Sequence, residues 1–285
     1  MPKGHILLAD SGSTKTHWVL LLNNGDRHDY FGKGINPVVQ APQEVMDSIK
    51  HQINELNTDE ILSEIHFYGA GCTSQSDCEL VNNALKAARS EEYDCFVYHD
   101  LMAAARSLFK GGQGVAAILG TGSSSAYYKG GVIVDRITPL GYVLGDDGGG
   151  VDLGKRLIRD IIQRKAPGHI SKAFHKEFDF TDEEIVARIY QMPGPNGFIA
   201  SFSKFLSFHI GESYCQELVK SAFKEFILRS VIVYGEKRIG CVGSVAYVFS
   251  TQLKEVCDEF DLELVSILKS PMDGLVDYHL KVSGV

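Results

Sequence analysis

Three turns rich in glycine, serine and threonine follow short apolar stretches of this 285-residue sequence, at residues 10–16, 120–125 and 243–246. Glycine lets the backbone approach a ligand closely, and successive N–H groups in such a turn form a concavity that binds anionic oxygens. One turn of this kind is equally consistent with an ordinary hairpin. Three of them in one chain favour a site that binds phosphate groups.

Acidic side chains accompany these turns. Asp10 lies within the first turn, where a carboxylate would repel phosphate oxygens unless it holds Mg²⁺, directly or through water. Asp100 follows the apolar stretch 95–98 and opens a predicted helix, so it is either a helix N-cap or a functional acid. Asp146 and Asp147 precede another predicted helix, whose dipole favours acids there, so a capping loop is the alternative to a binding role.

Other phosphate-binding motifs do not fit. Gly149, Gly154 and Lys155 come close to a P-loop, but Arg156 occupies the place of the hydroxyl that should bind magnesium. No Gly-x-Gly-x-x-Gly stands at a strand-to-helix turn, which argues against a dinucleotide site. The signature set of the protein kinases is absent as well.

The elements that position the first turn read as strands and helices of a mixed α/β sheet. Hydrophobic periodicity and turn residues predict them. The predicted strands are 6–10, 18–22, 65–68 and 95–98, the predicted helices are 42–57 and 76–89, and Asn24-Gly25 indicates a hairpin. The pattern of strand, polar turn, strand and glycine turn then recurs at 115–131, which indicates a diverged internal duplication.

The rest of the chain is mostly helical. The predicted helices are 151–165, 170–177, 182–191, 198–209, 213–233, one from the turn at 243–246 to about 260, and 271–280, with strands at 239–242 and 262–265.

Composition narrows the class of protein. With 28 basic and 36 acidic side chains the formal charge is -8, so nucleic acid is a poor candidate partner. No apolar run approaches the roughly 20 residues that span a membrane, and the first residues lack the apolar core of a signal peptide. The six cysteines form no CxxC pair, which argues against zinc and favours a reducing compartment, the cytoplasm.

These motifs together resemble the five-part pattern of the actin/hexokinase/Hsp70 ATPases, in matching order over nearly the whole chain. Within that superfamily the sequence is similar to the BadF/BadG/BcrA/BcrD group, which includes the N-acetylglucosamine kinases. The matching segments are residues 9–16 and 119–124 as phosphate turns, 100–105 and the final helix around Gly274 as connecting segments, and 241–246 as the adenosine motif.

The resemblance implies a fold and an activity. It implies an α/β protein of two ribonuclease-H-like, actin-like ATPase domains, 1–105 and 106–285, with a nucleotide and sugar cleft between them and the last helix a candidate to pack back on the first domain. It also implies a kinase that uses ATP and Mg²⁺ to phosphorylate an amino sugar, with the 6-hydroxyl of N-acetylglucosamine as the first candidate. A homodimer is expected by analogy.

The resemblance also assigns roles to residues. Asp100 corresponds to the catalytic base and Asp10 to the magnesium ligand. The cofactor-binding positions are Gly12, Ser13, Thr14, Lys15, Gly120, Thr121, Gly122, Ser123, Gly243 and Ser244, and the sugar-binding positions are Asn36, Gly141, Asp146 and Asp147.

Departures from the pattern leave alternatives open. The zinc-binding Cys-x-Cys-Gly of the bacterial repressor/open-reading-frame/kinase group is missing, and the helix after Asp100 lacks the cluster-binding cysteine of the 2-hydroxyacyl-CoA dehydratase activators. We therefore interpret Cys72 as an ordinary buried thiol and His99 as structural. Ser11 replaces a glycine of many relatives and requires a negative φ. An ATPase that activates a partner enzyme, a regulator without catalysis, and a kinase for glucosamine or N-acetylmuramic acid remain alternatives.

Overall fold

A computed structural model describes residues 4–12, 14–56, 60–89 and 92–283. Ser13, a predicted phosphate ligand, lies outside the described residues. The chain divides into two compact units: unit 1 comprises residues 1–110 and 271–285, and unit 2 comprises residues 111–270. The boundary expected after residue 105 falls inside a helix that ends at Phe109, and the units separate after that helix.

Strands alternate with helices in the first part of the chain, whereas helices predominate after residue 140. The strands are β1 (His5–Ser11), β2 (Lys15–Leu21), β3 (Arg27–Lys33), β4 (Leu62–Gly69), β5 (Asp94–His99), β6 (Gln113–Leu119), β7 (Ser123–Lys129), β8 (Val132–Arg136), β9 (Arg238–Val242) and β10 (Glu263–Leu268). The helices are α1 (Pro42–Glu55), α2 (Gln75–Lys86), α3 (Asp100–Phe109), α4 (Gly141–Leu144), α5 (Gly150–Ile162), α6 (Gly168–Glu177), α7 (Asp182–Gln191), α8 (Asn196–Ser201), α9 (Ser203–Phe208), α10 (Ser213–Ser230), α11 (Ser244–Val248), α12 (Ser250–Glu259) and α13 (Met272–Ser283).

The two sheets have the same topology. Among the described residues, the strand order is β3-β2-β1-β4-β5 in unit 1 and β8-β7-β6-β9-β10 in unit 2. In each sheet the first three strands are antiparallel and the last two run parallel to the central strand. This repeated topology agrees with the recurring sequence pattern from which an internal duplication was predicted. It also brings the carboxyl ends of three strands to one edge of each sheet.

Unit 1 buries both faces of its sheet, which explains the continuous apolar run of β1. Trp18 and Phe67 pack on the face under α1 and α2, while Tyr68 lies on the opposite face in one cluster with Leu275 of α13. The indole N–H of Trp18 donates to Gln52 of α1 at 2.9 Å, so this buried polar group is satisfied. The core of unit 2 lies between its sheet and helices that include α5, α10 and α12.

One predicted helix matches the structure, and others are interrupted or end early. The prediction for 182–191 matches α7, whose start is fixed by a capping box of Thr181 and Glu184. The predicted helix 198–209 is instead two short helices, α8 and α9, which meet at the buried Phe202. The prediction for 213–233 was wrong at its end, since α10 stops at Ser230 and a 3-10 turn follows.

The helix predicted from residue 243 to about 260 divides in the same way, into α11 and α12, at Phe249. Phe249 is only 2% exposed, so the interruption of the helix is caused by burial of this ring and not by local helix propensity. No helix in the described part of the chain has the length and apolar character needed to cross a bilayer.

A buried cluster of aromatic and basic side chains joins α13 to the rest of unit 1. Tyr68 hydrogen bonds to His279 of α13 at 2.8 Å and accepts a hydrogen bond from Arg106 of α3 at 2.6 Å. The Arg106 guanidinium lies 4.1 Å from the ring centroid of Tyr98, and the ring of His66 lies 4.2 Å from that of His279. These contacts keep two histidines neutral beside a permanent positive charge.

Acidification should destabilise this cluster. Burial lowers the pKa of His279 to about 3 and also lowers the pKa of His66. The folded protein therefore keeps His279 neutral, while the unfolded chain takes up a proton below about pH 6.5. The free energy of unfolding should fall as the pH drops below 6.5, by roughly 1 kcal/mol per pH unit for His279.

Urea unfolding at pH 7.5 and 5.5 measures this effect. His279→Gln retains a hydrogen-bonding group for Tyr68 and should reduce the difference between the two pH values by roughly 1 kcal/mol. His51→Gln, a change at an exposed histidine of α1, serves as the matched control. Equal pH dependence in both variants would rule out His279 as the source.

Candidate active site

The first glycine-rich turn joins β1 to β2 and is closed by a hydrogen bond from the Gly12 N–H to the Lys15 carbonyl at 3.0 Å. Thr14 and Lys15 are exposed beside it. Asp10 is the last residue but one of β1, opposite Tyr68 in the parallel strand β4. The turn thus presents polar groups at the carboxyl edge of the unit 1 sheet, where Asp100 also lies, directly after β5.

Asp10 and Asp100 influence one another electrostatically. The pKa of Asp10 is raised to about 7, chiefly by burial and next by the charge of Asp100, while the charge of Lys15 acts in the opposite direction. No described residue donates a hydrogen bond to the Asp10 side chain. Few positive charges of the described residues lie near these two carboxyl groups, so a cation bound beside them would stabilise their charged forms.

His99, not Asp100, caps helix α3. The His99 Nδ1 accepts the Leu101 N–H at 3.1 Å, and Asp100 is the first helical residue. Because that nitrogen already accepts, it does not donate to the Asp100 Oδ1 that lies 2.7 Å away. Asp100 Oδ1 is buried and has no hydrogen-bond donor within the described residues. The N-cap alternative for Asp100 is therefore wrong, and the structural interpretation of His99 is confirmed.

Asn36 is buried where the chain passes from β3 to α1. Its Oδ1 accepts the Val38 N–H at 3.0 Å, and its own N–H donates to Gln40 Oε1 at 2.7 Å. Gly71, in the loop after β4, has a φ of +87°, and a Cβ there would lie 2.1 Å from Asn36 Oδ1. The loop after β4 therefore requires glycine beside Asn36.

The second glycine-rich turn, between β6 and β7, is fused to the start of α5. The N–H groups of Gly150 and Val151 donate to the carbonyls of Gly120 and Thr121 at 2.8 and 2.9 Å. A Cβ on Gly149 would lie 2.6 Å from the Gly122 carbonyl carbon. The turn carbonyls thereby satisfy N–H groups that the first turn of a helix otherwise leaves unpaired.

Asp146 supports this same turn. Its Oδ1 accepts the Ser123 N–H at 3.1 Å, and a Cβ on Gly122 would contact its carboxylate at 2.6 Å. Asp146 has a φ of +63°, a conformation that aspartate tolerates better than most residues. Burial raises its pKa, while the Ser123 hydrogen bond lowers it. Gly141, expected in a loop, is instead the first residue of the short helix α4.

Two further acids lie near the start of α5. Asp147 is half-buried, and Asp152 was not predicted as a site residue. Burial raises the pKa of Asp147, and Arg229 lies 4.0 Å from it. Asp152, on α5, accepts the Gly148 N–H at 3.0 Å and pairs with Arg156 at 2.9 Å. The Asp-x-x-x-Arg spacing within a predicted helix was the available signal for this pair.

The third glycine-rich turn follows β9 and fits against the second. Gly243 has a φ of +127°, and a Cβ there would lie 2.2 Å from the Leu119 carbonyl oxygen. Its N–H donates to the Leu268 carbonyl at 2.9 Å. Ser244 is the exposed first residue of α11.

These turns of unit 2 line a cavity of about 340 Å³. Gly120, Thr121 and Ser244, which the resemblance assigns to nucleotide binding, lie in its wall. The remaining lining residues were not predicted as ligands. They are Gly150, Gly197, Ala200, Ser201, Ser203, Lys204, Ser207, Val245, Val248 and Phe249.

Three of the serines that line this cavity lie on the short helices α8 and α9. Ser201, Ser203 and Ser207 each donate their hydroxyl proton to the carbonyl three residues earlier. Their oxygens therefore remain able to accept hydrogen bonds from a ligand. Lys204 is exposed on the same wall, and no acidic side chain of the described chain pairs with it.

Gly243 should tolerate no side chain. Gly243→Ala places a methyl group against the Leu119 carbonyl in an unfavourable backbone conformation, so we expect a loss of about 2–4 kcal/mol in the free energy of unfolding. Gly130→Ala is the matched control, because Gly130 also has a positive φ but no atom near its added Cβ. Urea unfolding measures both, and equal losses would contradict a steric origin.

Solved structures share this architecture. A candidate N-acetylglucosamine kinase from Porphyromonas gingivalis is 34% identical, and the match covers 97% of this chain and 99% of that protein with a TM-score of 0.90. A candidate N-acetylglucosamine kinase from Chromobacterium violaceum (14% identity, 98% and 99% coverage, TM-score 0.72) shares the fold. So does the ethanolamine utilization protein EutJ from Carboxydothermus hydrogenoformans (16% identity, 98% and 91% coverage, TM-score 0.55).

No protein-family model matches the sequence, and none of the curated proteins matches it. Membership of the BadF/BadG/BcrA/BcrD group therefore stays a prediction. The two-domain actin-like fold is confirmed by the repeated sheets and by these neighbours. At 34% identity over nearly the full length of both chains, the protein belongs to the same family as the candidate N-acetylglucosamine kinase of Porphyromonas gingivalis.

Proposed function

We propose that this protein transfers the γ-phosphate of ATP to a hydroxyl group of an amino sugar, with N-acetylglucosamine as the first candidate. The observation that supports this most directly is Asp100 Oδ1, a buried acceptor without a donor among the described residues, at the carboxyl edge of the unit 1 sheet. The amino-sugar assignment is supported by the relationship to the Porphyromonas gingivalis candidate kinase.

In this proposal Asp100 acts as the general base. A sugar hydroxyl would donate to Oδ1, and its proton would pass to the carboxylate as the oxygen–phosphorus bond forms and the bond to the ADP leaving group breaks. Phosphoryl transfer requires mainly positioning and charge stabilisation, so one oriented carboxylate is sufficient base chemistry. The His99 cap fixes the start of α3 and hence the position of Asp100.

Asp10 is proposed to hold Mg²⁺. Its carboxylate oxygens are the hard ligands that this ion prefers, and its raised pKa reflects a charged form that lacks compensation from nearby side chains. When bound, the ion would neutralise negative charge on the phosphates of ATP. The backbone N–H groups and hydroxyls of the two phosphate turns would bind the remaining oxygens.

Sugar binding is proposed for Asn36, Asp146 and Asp147, as the resemblance implies. Asn36 is buried beside the first phosphate turn of unit 1, held by its turn with Val38. The Asp146 Oδ1 already accepts the Ser123 N–H, so its second carboxylate oxygen is the one proposed to accept a sugar hydroxyl. Paired acceptors of this kind suit the directional hydroxyl groups of a hexose.

The cavity in unit 2 is proposed to bind the nucleoside of ATP. Its volume is within the range of small-ligand sites, and Val245, Val248 and Phe249 supply apolar surface for a base. The serine oxygens can accept from ribose hydroxyls or an exocyclic amino group, while Lys204 offers a positive charge.

Blocking this cavity should weaken nucleotide binding without unfolding the protein. Gly197 lines the cavity, and no atom lies within 4 Å of a Cβ added there, so Gly197→Trp should occupy the site and lower ATP affinity at least about tenfold. Gly168→Trp, at an equally open glycine in α6, is the control. Titration calorimetry with MgATP measures affinity, and unchanged affinity in Gly197→Trp would place the nucleotide elsewhere.

Loss of the base should abolish turnover but not binding. We expect Asp100→Asn to bind ATP normally and to lower the rate of phosphoryl transfer by about 10²–10⁴-fold. Asp94→Asn, at the exposed other end of β5, is the matched control and should retain activity.

The measurement is ADP release with MgATP against a panel of amino sugars and plain hexoses, with a reaction lacking sugar as the reference. Stimulation by one amino sugar, lost in Asp100→Asn, is the expected result. ATP hydrolysis that no sugar changes would instead favour an ATPase that activates a partner enzyme. Near-normal sugar kinase activity in Asp100→Asn would remove Asp100 from the mechanism.

A further inference from the structure

A chain of hydrogen bonds starts from the side chain of Ser11, which is fully buried at the end of β1. Its Oγ accepts the Ile35 N–H at 3.0 Å and lies 2.7 Å from Thr16 Oγ1. Thr16 Oγ1 in turn donates to the Lys33 carbonyl at 2.8 Å. Ser11 has a negative φ, as the sequence required, so the backbone at this position has no need of glycine.

The chain allows more than one arrangement of its hydroxyl protons. Thr16 Oγ1 donates to the Lys33 carbonyl, and Ser11 can donate to Thr16 Oγ1 or to the Ile35 carbonyl 3.1 Å away. In both arrangements the Ser11 Oγ is the acceptor of the Ile35 N–H. Each member polarises the next, which strengthens the chain beyond its separate bonds.

Three loops of unit 1 meet at Ser11. Its side chain connects the hairpin of the first phosphate turn with the segment that carries Asn36. Its carbonyl accepts the Ala70 N–H at 2.8 Å, which fixes the loop in which Gly71 contacts Asn36. A glycine at position 11 would keep the carbonyl contact but leave the buried Ile35 N–H without this acceptor.

We propose that Ser11 is a positioning residue that sets sugar affinity by holding the Asn36 segment in register with the first phosphate turn. This inference rests on the proposed sugar kinase function and adds to it a residue that touches neither sugar nor nucleotide.

Kinetics of variants along the chain test this role. Ser11→Ala leaves the Ile35 N–H unpaired, so we expect the KM for the sugar to rise about tenfold, with a much smaller change in the KM for ATP. Thr16→Val should act more weakly, because Ser11 can then donate to the Ile35 carbonyl 3.1 Å away and Gln52 still donates to Lys33. Thr16→Ser keeps the hydroxyl group and should resemble the wild type.

Ser63→Ala is the matched control, since Ser63 also donates from β4 to a backbone carbonyl, of His5, but at the opposite end of the sheet. A graded effect, largest in Ser11→Ala, weaker in Thr16→Val and negligible in Thr16→Ser and Ser63→Ala, is expected. Equal rises in the KM values for sugar and ATP, or an unchanged sugar KM in a folded Ser11→Ala, would overturn the proposal.

Amide hydrogen exchange separates this proposal from the proposed function. In Ser11→Ala the Ile35 N–H and its neighbour Asn36 should exchange at least about tenfold faster, whether or not the wild type phosphorylates any sugar. If no sugar is phosphorylated but exchange at Ile35 accelerates, only the proposed function fails. If exchange at Ile35 is unchanged, the positioning role fails even where the kinase assay succeeds.

Discussion

The parallel pairing of β4 and β5 with β1 is the constraint on which the rest of unit 1 depends. Parallel strands end at the same edge of a sheet, so Asp10, the loop after Gly69 and Asp100 reach one edge although 90 positions separate the two acids in sequence. The same pairing in unit 2 brings the turns at Gly120 and Gly243 together. Each sheet therefore collects its polar loops before any ligand is present.

This arrangement has an electrostatic cost. Asp10 and Asp100 oppose each other's charge, and burial adds to the penalty at Asp10. A fold that only needed stability would replace one of them with a neutral side chain. The surrounding contacts fix the positions of these acids without neutralising them: His99 caps α3, and the Ser11 hydrogen-bond chain fixes the neighbouring loops. Uncompensated carboxyl groups held on a rigid edge are typical of a binding or catalytic site.

Local signals were sufficient to predict much of this structure from the sequence. Apolar stretches ending in glycine-rich turns predicted the strands, and their recurrence predicted the repeated topology. The capping box at Thr181 fixed α7. Predictions failed where tertiary packing overrides local preference. Buried Phe202 and Phe249 interrupt helices whose periodicity is continuous, and a sequence shows periodicity but not which ring must enter the core.

Site residues divide in the same way. Glycines with conformational demands, such as Gly243, were found because their motif is local. Lining residues of the cavity in unit 2, such as Ser203 and Lys204, were missed because they come from helices that have no motif of their own. Asp146 was predicted as a sugar ligand. Its hydrogen bond with the Ser123 N–H could not be predicted from the sequence, because it joins positions 23 residues apart.

Unit 1 is built from two separate segments of the chain, and this has a consequence for biosynthesis. Helix α13 covers Leu8, Val19 and Tyr68 on one face of the first sheet, yet the ribosome makes it only after unit 2. The part of that face under α13 stays uncovered while all of residues 111–270 are translated. Unit 2 is a continuous stretch and can complete its core first. Unit 2 can therefore complete its fold before unit 1, although unit 1 begins to emerge from the ribosome first.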